Sequence, residues 1–344
     1  MRFDILTPRE RFGLLVIDEL PDRCNIIPLI TSHAATVADI PLRRYYTEGQ
    51  AMAEAQIIAF ERYGHDALSI FSEVGIIAEA IGSVFDYPED DLPVIRLPIL
   101  TKVGIEDLKV PDPKRDGRLP IYLEAIKYAY NSLGDRVPIL AYVPAPFTTG
   151  VMLSDPNQFL IDTIRNPDRI HRIMELGLKA AKGFCYEIIN TGGLPILVDP
   201  LASASVISPK AYKEFALPYE QRLIDYLHRY DLDIILHICG ETGPIIDLML
   251  DSHADLLSVD RIDPEFLYEK CHDRIRIIGN LDTSLVGFGA REEVIKRTAE
   301  MVARLKMAKK GYVAATGCEV PIRADPGNVE VFIQIAREVG WFWD

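Results

Sequence analysis

A histidine and a cysteine two residues apart, His237 and Cys239 in the run DIILHICG, carry the sharpest chemistry in the chain. Residues i and i+2 of a β-strand share a face, so a strand here sets an imidazole beside a thiol. A second thiol, Cys318 in ATGCEVP, ends another apolar run far along the chain. One nitrogen and two sulfurs form a borderline-soft ligand set suited to Zn²⁺. Three protein ligands leave a fourth position for substrate, which is the pattern of a catalytic zinc site rather than a structural one. A lone His or Cys at such a position is more often a packed core residue, and it is the combination of three that points to a metal. Glu79, shortly after another β-prone run, is expected to fill the fourth position until substrate displaces it.

Other polar residues collect at the ends of similar runs. Asp199 in LVDPLAS and Asp260 in LSVDR are expected either to orient a ligand, since a metal-bound histidine commonly donates its second N–H to a carboxylate or carbonyl, or to cap the helix that follows. Asn280 and Asp282 close the run RIIGNLD, and Asp260 and Asn280 are taken as cofactor contacts. His33 in TSHAATVAD either lines the site beside Glu79 and Asp199 or is a hydrogen-bonded turn residue. Phe71, Tyr142, Phe147 and Tyr219 either reach the site or belong to the core. Cys24, Cys185 and Cys271 read as structural.

Eight short β-prone runs must position these groups: residues 25–30, 66–71, 137–143, 194–200, 233–240, 255–260, 276–282 and 311–318. Between them lie helical patterns with recognisable ends. Asn166-Pro167 starts one that Gly192-Gly193 stops; Ser208-Pro209 and Asp325-Pro326 start others. Strand and helix alternating over the whole length imply a parallel sheet covered by helices, and eight strands is the number at which such a sheet closes into a (β/α)8 TIM barrel. An open doubly wound sheet is the competing architecture, weakened by the lack of a Gly-rich turn after the first run. A single domain over 1–344 is expected, with a Pro- and charge-rich insertion at 86–136 lying over the barrel mouth. In such barrels the C-terminal strand ends form the active site, which is where the residues above fall.

Composition bounds the partners. The 344 residues hold 51 Asp and Glu against 37 Lys and Arg, a net charge of −14 that repels nucleic acid phosphates and anionic membrane surfaces. The opening residues show no secretion signal, and no run is long and apolar enough to span a membrane. Five cysteines, an odd and sparse set, argue for a reducing, cytoplasmic setting.

The succession HICG, LSVD, GNLD and GCEVP, preceded by DPLASASVISPKAYKEFALPY, resembles the uroporphyrinogen decarboxylase superfamily, and within it the zinc-dependent methyltransferases that work with corrinoid proteins. The stretch AEAIG around Glu79 resembles those methyltransferases too. The resemblance runs from TPRERF to the last helix. It implies a (β/α)8 barrel in which His237, Cys239 and Cys318 hold zinc at the mouth. Decarboxylation is disfavoured, because the stretch DRCNIIPLITSHAATVAD offers only Arg23 and no arginine pair for a polycarboxylate. Asp251-Ser252-His253-Ala254-Asp255-Leu256 ends in leucine where a base-off corrinoid motif needs glycine, so the corrinoid must arrive on a partner protein. The resemblance then implies methyl transfer from a methylated substrate to Co(I), with a methoxylated aromatic as the preferred donor. A methylcorrinoid:coenzyme M (thiol) transferase is the alternative; a decarboxylase and a non-catalytic corrinoid-protein binder stand behind both.

Overall fold

The computed structural model describes residues 4–342. Eight parallel strands form one curled sheet: β1 Asn25–Ile26, β2 Leu68–Ile70, β3 Ile139–Pro144, β4 Leu194–Val198, β5 Ile235–Glu241, β6 Leu256–Arg261, β7 Arg276–Leu281 and β8 Tyr312–Thr316. Their order is β1-β8-β7-β6-β5-β4-β3-β2, and every neighbouring pair is parallel. The eight runs of apolar residues therefore became the staves of a TIM barrel.

Alternation along the strands sorts side chains into two layers. On β5, Ile235 faces the barrel interior with Leu140, Tyr142, Ile196 and Ile278, while Leu236 and Ile238 join the layer under the helices. His237 and Cys239 follow Ile235 at i+2 and i+4, so the interior face of β5 ends in an imidazole and then a thiol.

The helices begin and stop where the local chemistry dictates. The Asn166 side chain caps the Pro167–Thr191 helix by accepting the Arg169 N–H, and Gly192 at φ 97° ends it in a conformation that suits glycine. Met174, Leu178, Ala181, Cys185 and Ile188 form its buried stripe. Asp325 caps the Pro326–Val339 helix in the same way.

Closure between β1 and β2 does not use an ordinary ladder. The Asp66 N–H donates to Ile26 O at 2.8 Å, and the Asp66 carboxylate accepts the Ile26 N–H at 2.7 Å. The same carboxylate takes hydrogen bonds from Arg11 at 2.8 Å and Arg23 at 2.6 Å, so a buried ion cluster seals the seam.

Between β2 and β3 the chain leaves the barrel. Val84–Asp86 and Val94–Leu97 pair as an antiparallel hairpin, two short 3₁₀ turns follow, and Leu119–Leu133 is a helix packed on β2 and β3. The 86–136 stretch thus holds all of this arm but its first two residues, Val84 and Phe85, together with one barrel helix. No helix among the described residues is long and apolar enough to cross a membrane.

Candidate metal centre

His237, Cys239 and Cys318 meet at the C-terminal mouth, their ligand atoms all within 4.8 Å of one another. His237 Nε2 lies 3.0 Å from Cys239 Sγ, and Cys239 Sγ lies 2.8 Å from Cys318 Sγ. Each is delivered by a distinct local device. In the β5–β6 ladder, His237 stands opposite Ser258 and Ile238 opposite Val259, after which the register slips until Glu241 meets Arg261. Cys239 sits in that bulge, which re-aims its thiol. Cys318 follows β8, held by the Thr316 hydroxyl, which donates to the Cys318 carbonyl at 2.7 Å.

The imidazole is oriented from behind. Ser258 Oγ lies 2.9 Å from His237 Nδ1, and as the acceptor of that N–H it leaves the Nε2 lone pair turned toward the sulfurs. The thiols differ sharply from ordinary cysteine. The hydrogen bond from Cys239 is the main cause that lowers Cys318 to about 4, with His237 assisting, whereas Cys239 is pushed well up by the same bond and by burial. Cys318 is therefore the more acidic sulfur of the pair. An imidazole nitrogen and two sulfurs, preset in tautomer and charge, fit a tetrahedral Zn²⁺ with one exchangeable position.

A cavity of about 80 Å³ opens beside the trio, walled by Leu29, Phe71, Val74, Tyr142 and Val198, with Glu319 as its carboxylate. Burial, then the neighbouring Cys318, raises Glu319 to about 7, and the Thr31 hydroxyl donates to it. Among the described residues no Lys or Arg lines this cavity. A larger groove of about 420 Å³ lies at the opposite end, where β3 and β4 begin, and its lining contains no His or Cys.

The other sequence-derived candidates take varied places. Asp260 accepts the Gly240 N–H at 2.7 Å, next to Cys239, and Asn280 donates to the carbonyls of Asp260 and Ile262 at 2.8 and 2.7 Å. Asp199 is fully buried behind β4, where its carboxylate accepts the Thr148 N–H and hydroxyl, and burial raises it to about 6. The carboxylate expected behind the histidine is instead the Ser258 hydroxyl.

Glu79 does not reach the trio. It lies on the Ile76–Ile81 helix and pairs with Arg118 at 2.9 Å, sharing that guanidinium with Glu73. Arg118 also donates to Tyr46 O and Ser72 and covers the Tyr87 ring, so this cluster fastens the arm to the end of β2. The exchangeable fourth ligand expected from Glu79 is thus committed to a cation. His33 is buried between Tyr63 OH at 2.8 Å and Ile322 O at 3.1 Å, a satisfied histidine whose burial lowers its pKa. Phe71 and Tyr142 line the cavity, while Phe147 packs on Phe159 and Tyr219 bonds His171. Ser258 and Glu319 are the functional candidates that sequence reasoning passed over. Their signals were slight: a lone hydroxyl on the inward face of β6, and an acid adjoining Cys318.

Comparison with known proteins follows the same geometry. The family model described as uroporphyrinogen decarboxylase (URO-D) matches residues 7–339. A methylated-thiol–coenzyme M methyltransferase of Methanosarcina mazei is 25% identical over 332 residues, which is 94% of this chain and 86% of that one. A uroporphyrinogen decarboxylase of Trichodesmium erythraeum is 25% identical over 295 residues, covering 83% of this chain and 81% of the other. Among solved structures, a methyltransferase from Methanosarcina mazei superposes with a TM-score of 0.87 at 22% identity, covering 97% of this chain and 99% of that one. That superposition speaks to the fold.

Proposed function

The chain belongs to the uroporphyrinogen decarboxylase family, and on that premise we propose that it is a zinc-dependent methyltransferase of that family, acting with the corrinoid of a partner protein. The observation that carries this reading is the convergence of His237, Cys239 and Cys318 beside a cavity at the barrel mouth. Zinc bound there supplies Lewis acidity, which stabilises the oxygen or sulfur that parts from a methyl group, or lowers the pKa of an accepting thiol.

The chain's own residues do the rest. Ser258 holds the imidazole in its ligating tautomer. The apolar and aromatic walls seat a methyl-bearing group and exclude water, and Glu319, fixed by Thr31, sets the polar end of the cavity. The arm fastened by Arg118 is the proposed cover of the mouth, where the partner would present its corrinoid.

Of the two substrate readings, a methylated thiol or thiol acceptor is the better supported, since the Methanosarcina mazei relative bears that activity in its name. A methoxylated aromatic is the second reading, favoured by Phe71 and Tyr142 at the cavity wall. Porphyrinogen decarboxylation fits poorly. A polycarboxylate needs free guanidinium groups, whereas Arg23 is bound by Asp4 and Asp66, and Arg118 by Glu73 and Glu79. The five cysteines are free thiols, in keeping with a cytoplasmic setting.

The test combines metal analysis with cobalt absorbance. The purified protein should carry one zinc per chain and, mixed with reduced corrinoid protein and methylated thiols or methoxyarenes, should methylate cobalt, or demethylate it when a thiol is supplied. A protein that binds no zinc, or one that turns over a porphyrinogen instead, overturns the reading.

A further inference from the structure

The two cysteine-bearing segments come from strands separated by β6 and β7, and one carboxylate lies against both. Because Ile238 pairs with Val259 and Glu241 with Arg261, two residues of β5, Cys239 and Gly240, stand opposite the single residue Asp260. The Gly240 N–H points back across this bulge to Asp260 Oδ2 at 2.7 Å. Gly240 has φ 72°, and a Cβ there would fall 2.6 Å from Ser205 Oγ and 2.8 Å from Ser203 Oγ, so this backbone has little freedom to choose another partner.

On the other side stands Gly317, immediately before Cys318. Its N–H is held by Leu281 O at 2.7 Å, and a Cβ on it would lie 2.5 Å from Asp260 Oδ1 and 3.0 Å from Asp260 Cα. The glycine thus makes room for the carboxylate. The Asp260 backbone is itself pinned, because Asn280 Nδ2 donates to its carbonyl at 2.8 Å. One oxygen addresses the residue after Cys239 and the other abuts the residue before Cys318.

We propose that Asp260 is a positioning residue whose carboxylate acts as the spacer between the Cys239 and Cys318 backbones, keeping both thiols turned to one point of the mouth, within reach of a single metal ion. It works through the backbone on either side of the sulfurs. A ligand set must be held within about half an ångström, so the support is as consequential as the ligands. The inference rests on the zinc reading above.

The experiment measures Zn²⁺ affinity by competition with a chromophoric chelator, and the visible d–d spectrum of the Co²⁺-substituted protein, for the wild type, Asp260→Ala, Asp260→Asn, Gly317→Ala and the double variant Asp260→Ala/Gly317→Ala. Asp260→Ala should weaken zinc binding about 10- to 100-fold and shift the Co²⁺ bands. Asp260→Asn, which keeps the volume, should lose less and shifts the bands in the same sense. Gly317→Ala should reproduce the loss by displacing the carboxylate, and because only the 3.0 Å approach to the residue-260 Cα remains once that carboxylate is gone, the double variant should lose clearly less than the product of the two single losses. A wild-type spectrum and affinity in both Asp260 variants overturns the proposal, as does a double variant in which the two losses simply multiply. A wild-type protein that holds no zinc overturns the zinc reading itself, and this inference with it.

Discussion

The two ends of the barrel bury polar groups under opposite rules. At the seam below β1 and β2, acids and guanidinium groups alternate: Arg11 bonds Asp22 and Asp66, and Arg23 bonds Asp66 and Asp4. There, although burial opposes ionisation, the hydrogen bonds from Arg11 hold Asp22 down at about 2. Beside the trio the acids meet N–H and hydroxyl groups: Asp199 bonds Thr148, Asp260 the Gly240 N–H and Glu319 the Thr31 hydroxyl. Burial dominates instead, raising Asp199 to about 6, Glu319 to about 7 and Asp260 above its ordinary value. The seam is electrostatically complete and serves stability; the mouth is rich in donors of electron pairs and poor in cations, which is the condition for binding one.

Removing a ligand from the mouth should produce the largest effect on chemistry. Cys318→Ala leaves two donors where zinc wants at least three, so we expect loss of stoichiometric zinc and a fall in methyl transfer of roughly a thousandfold or more, with the fold intact by circular dichroism. Retention of one tightly held zinc per chain would show that the trio is not the centre. At the seam the expectation reverses. Asp66→Ala takes one of two hydrogen-bonded carboxylate partners from each of two fully buried guanidinium groups and leaves the Ile26 N–H unpaired, and should cost about 3–5 kcal/mol in urea unfolding, while whatever protein folds keeps its zinc. Acid should find the same weakness. With its folded pKa held below the ordinary 3.8, Asp22 contributes stability that is complete above that pH and lost as pH falls through about 2, so Asp22→Asn should flatten the acid limb of a thermal-stability profile.

The sequence showed more of the cylinder than of the site's supports. Most of the strands are short apolar runs that stop at Asp, Asn, Gly or Pro, and several helices open on a cap followed by proline, so all eight strands fall on the expected runs, with β3, β5 and β6 each running one residue past the expected end. Legible too was the trio, because the i, i+2 rule needs only that β5 be a strand. Partnership was not legible, since it depends on azimuth and on what arrives from elsewhere. Glu79 sits near a strand end as expected, but Arg118 approaches from the far side of the arm and claims it. His33 likewise finds Tyr63 at the end of the Gly49–Tyr63 helix. Ser258 looks incidental in LLSVD until the register places it opposite His237.

That hydroxyl offers a finer test of the contrast. Ser258→Ala removes no ligand and leaves only a small void, yet it frees the imidazole to rotate and to change tautomer. Zinc affinity should fall about 10- to 100-fold, equivalent to about 1–3 kcal/mol, with little change in the unfolding midpoint of the metal-free protein. Unaltered affinity would mean that β5 packing alone orients His237.

The smallest expected effect belongs to Glu79, and it separates the mouth from the rim that frames it. Arg118 keeps Glu73, Ser72 and the Tyr46 carbonyl when Glu79 becomes glutamine, so a half-satisfied guanidinium does not result and the cost should be about 1 kcal/mol or less in thermal unfolding. Zinc content and affinity should stay at wild-type values, because the carboxylate belongs to the ion cluster that fastens the arm and not to the donor set. If Glu79→Gln instead releases zinc, the arm and the metal share a ligand. The rim would then be part of the electron-rich mouth rather than a second, self-neutralising region like the seam.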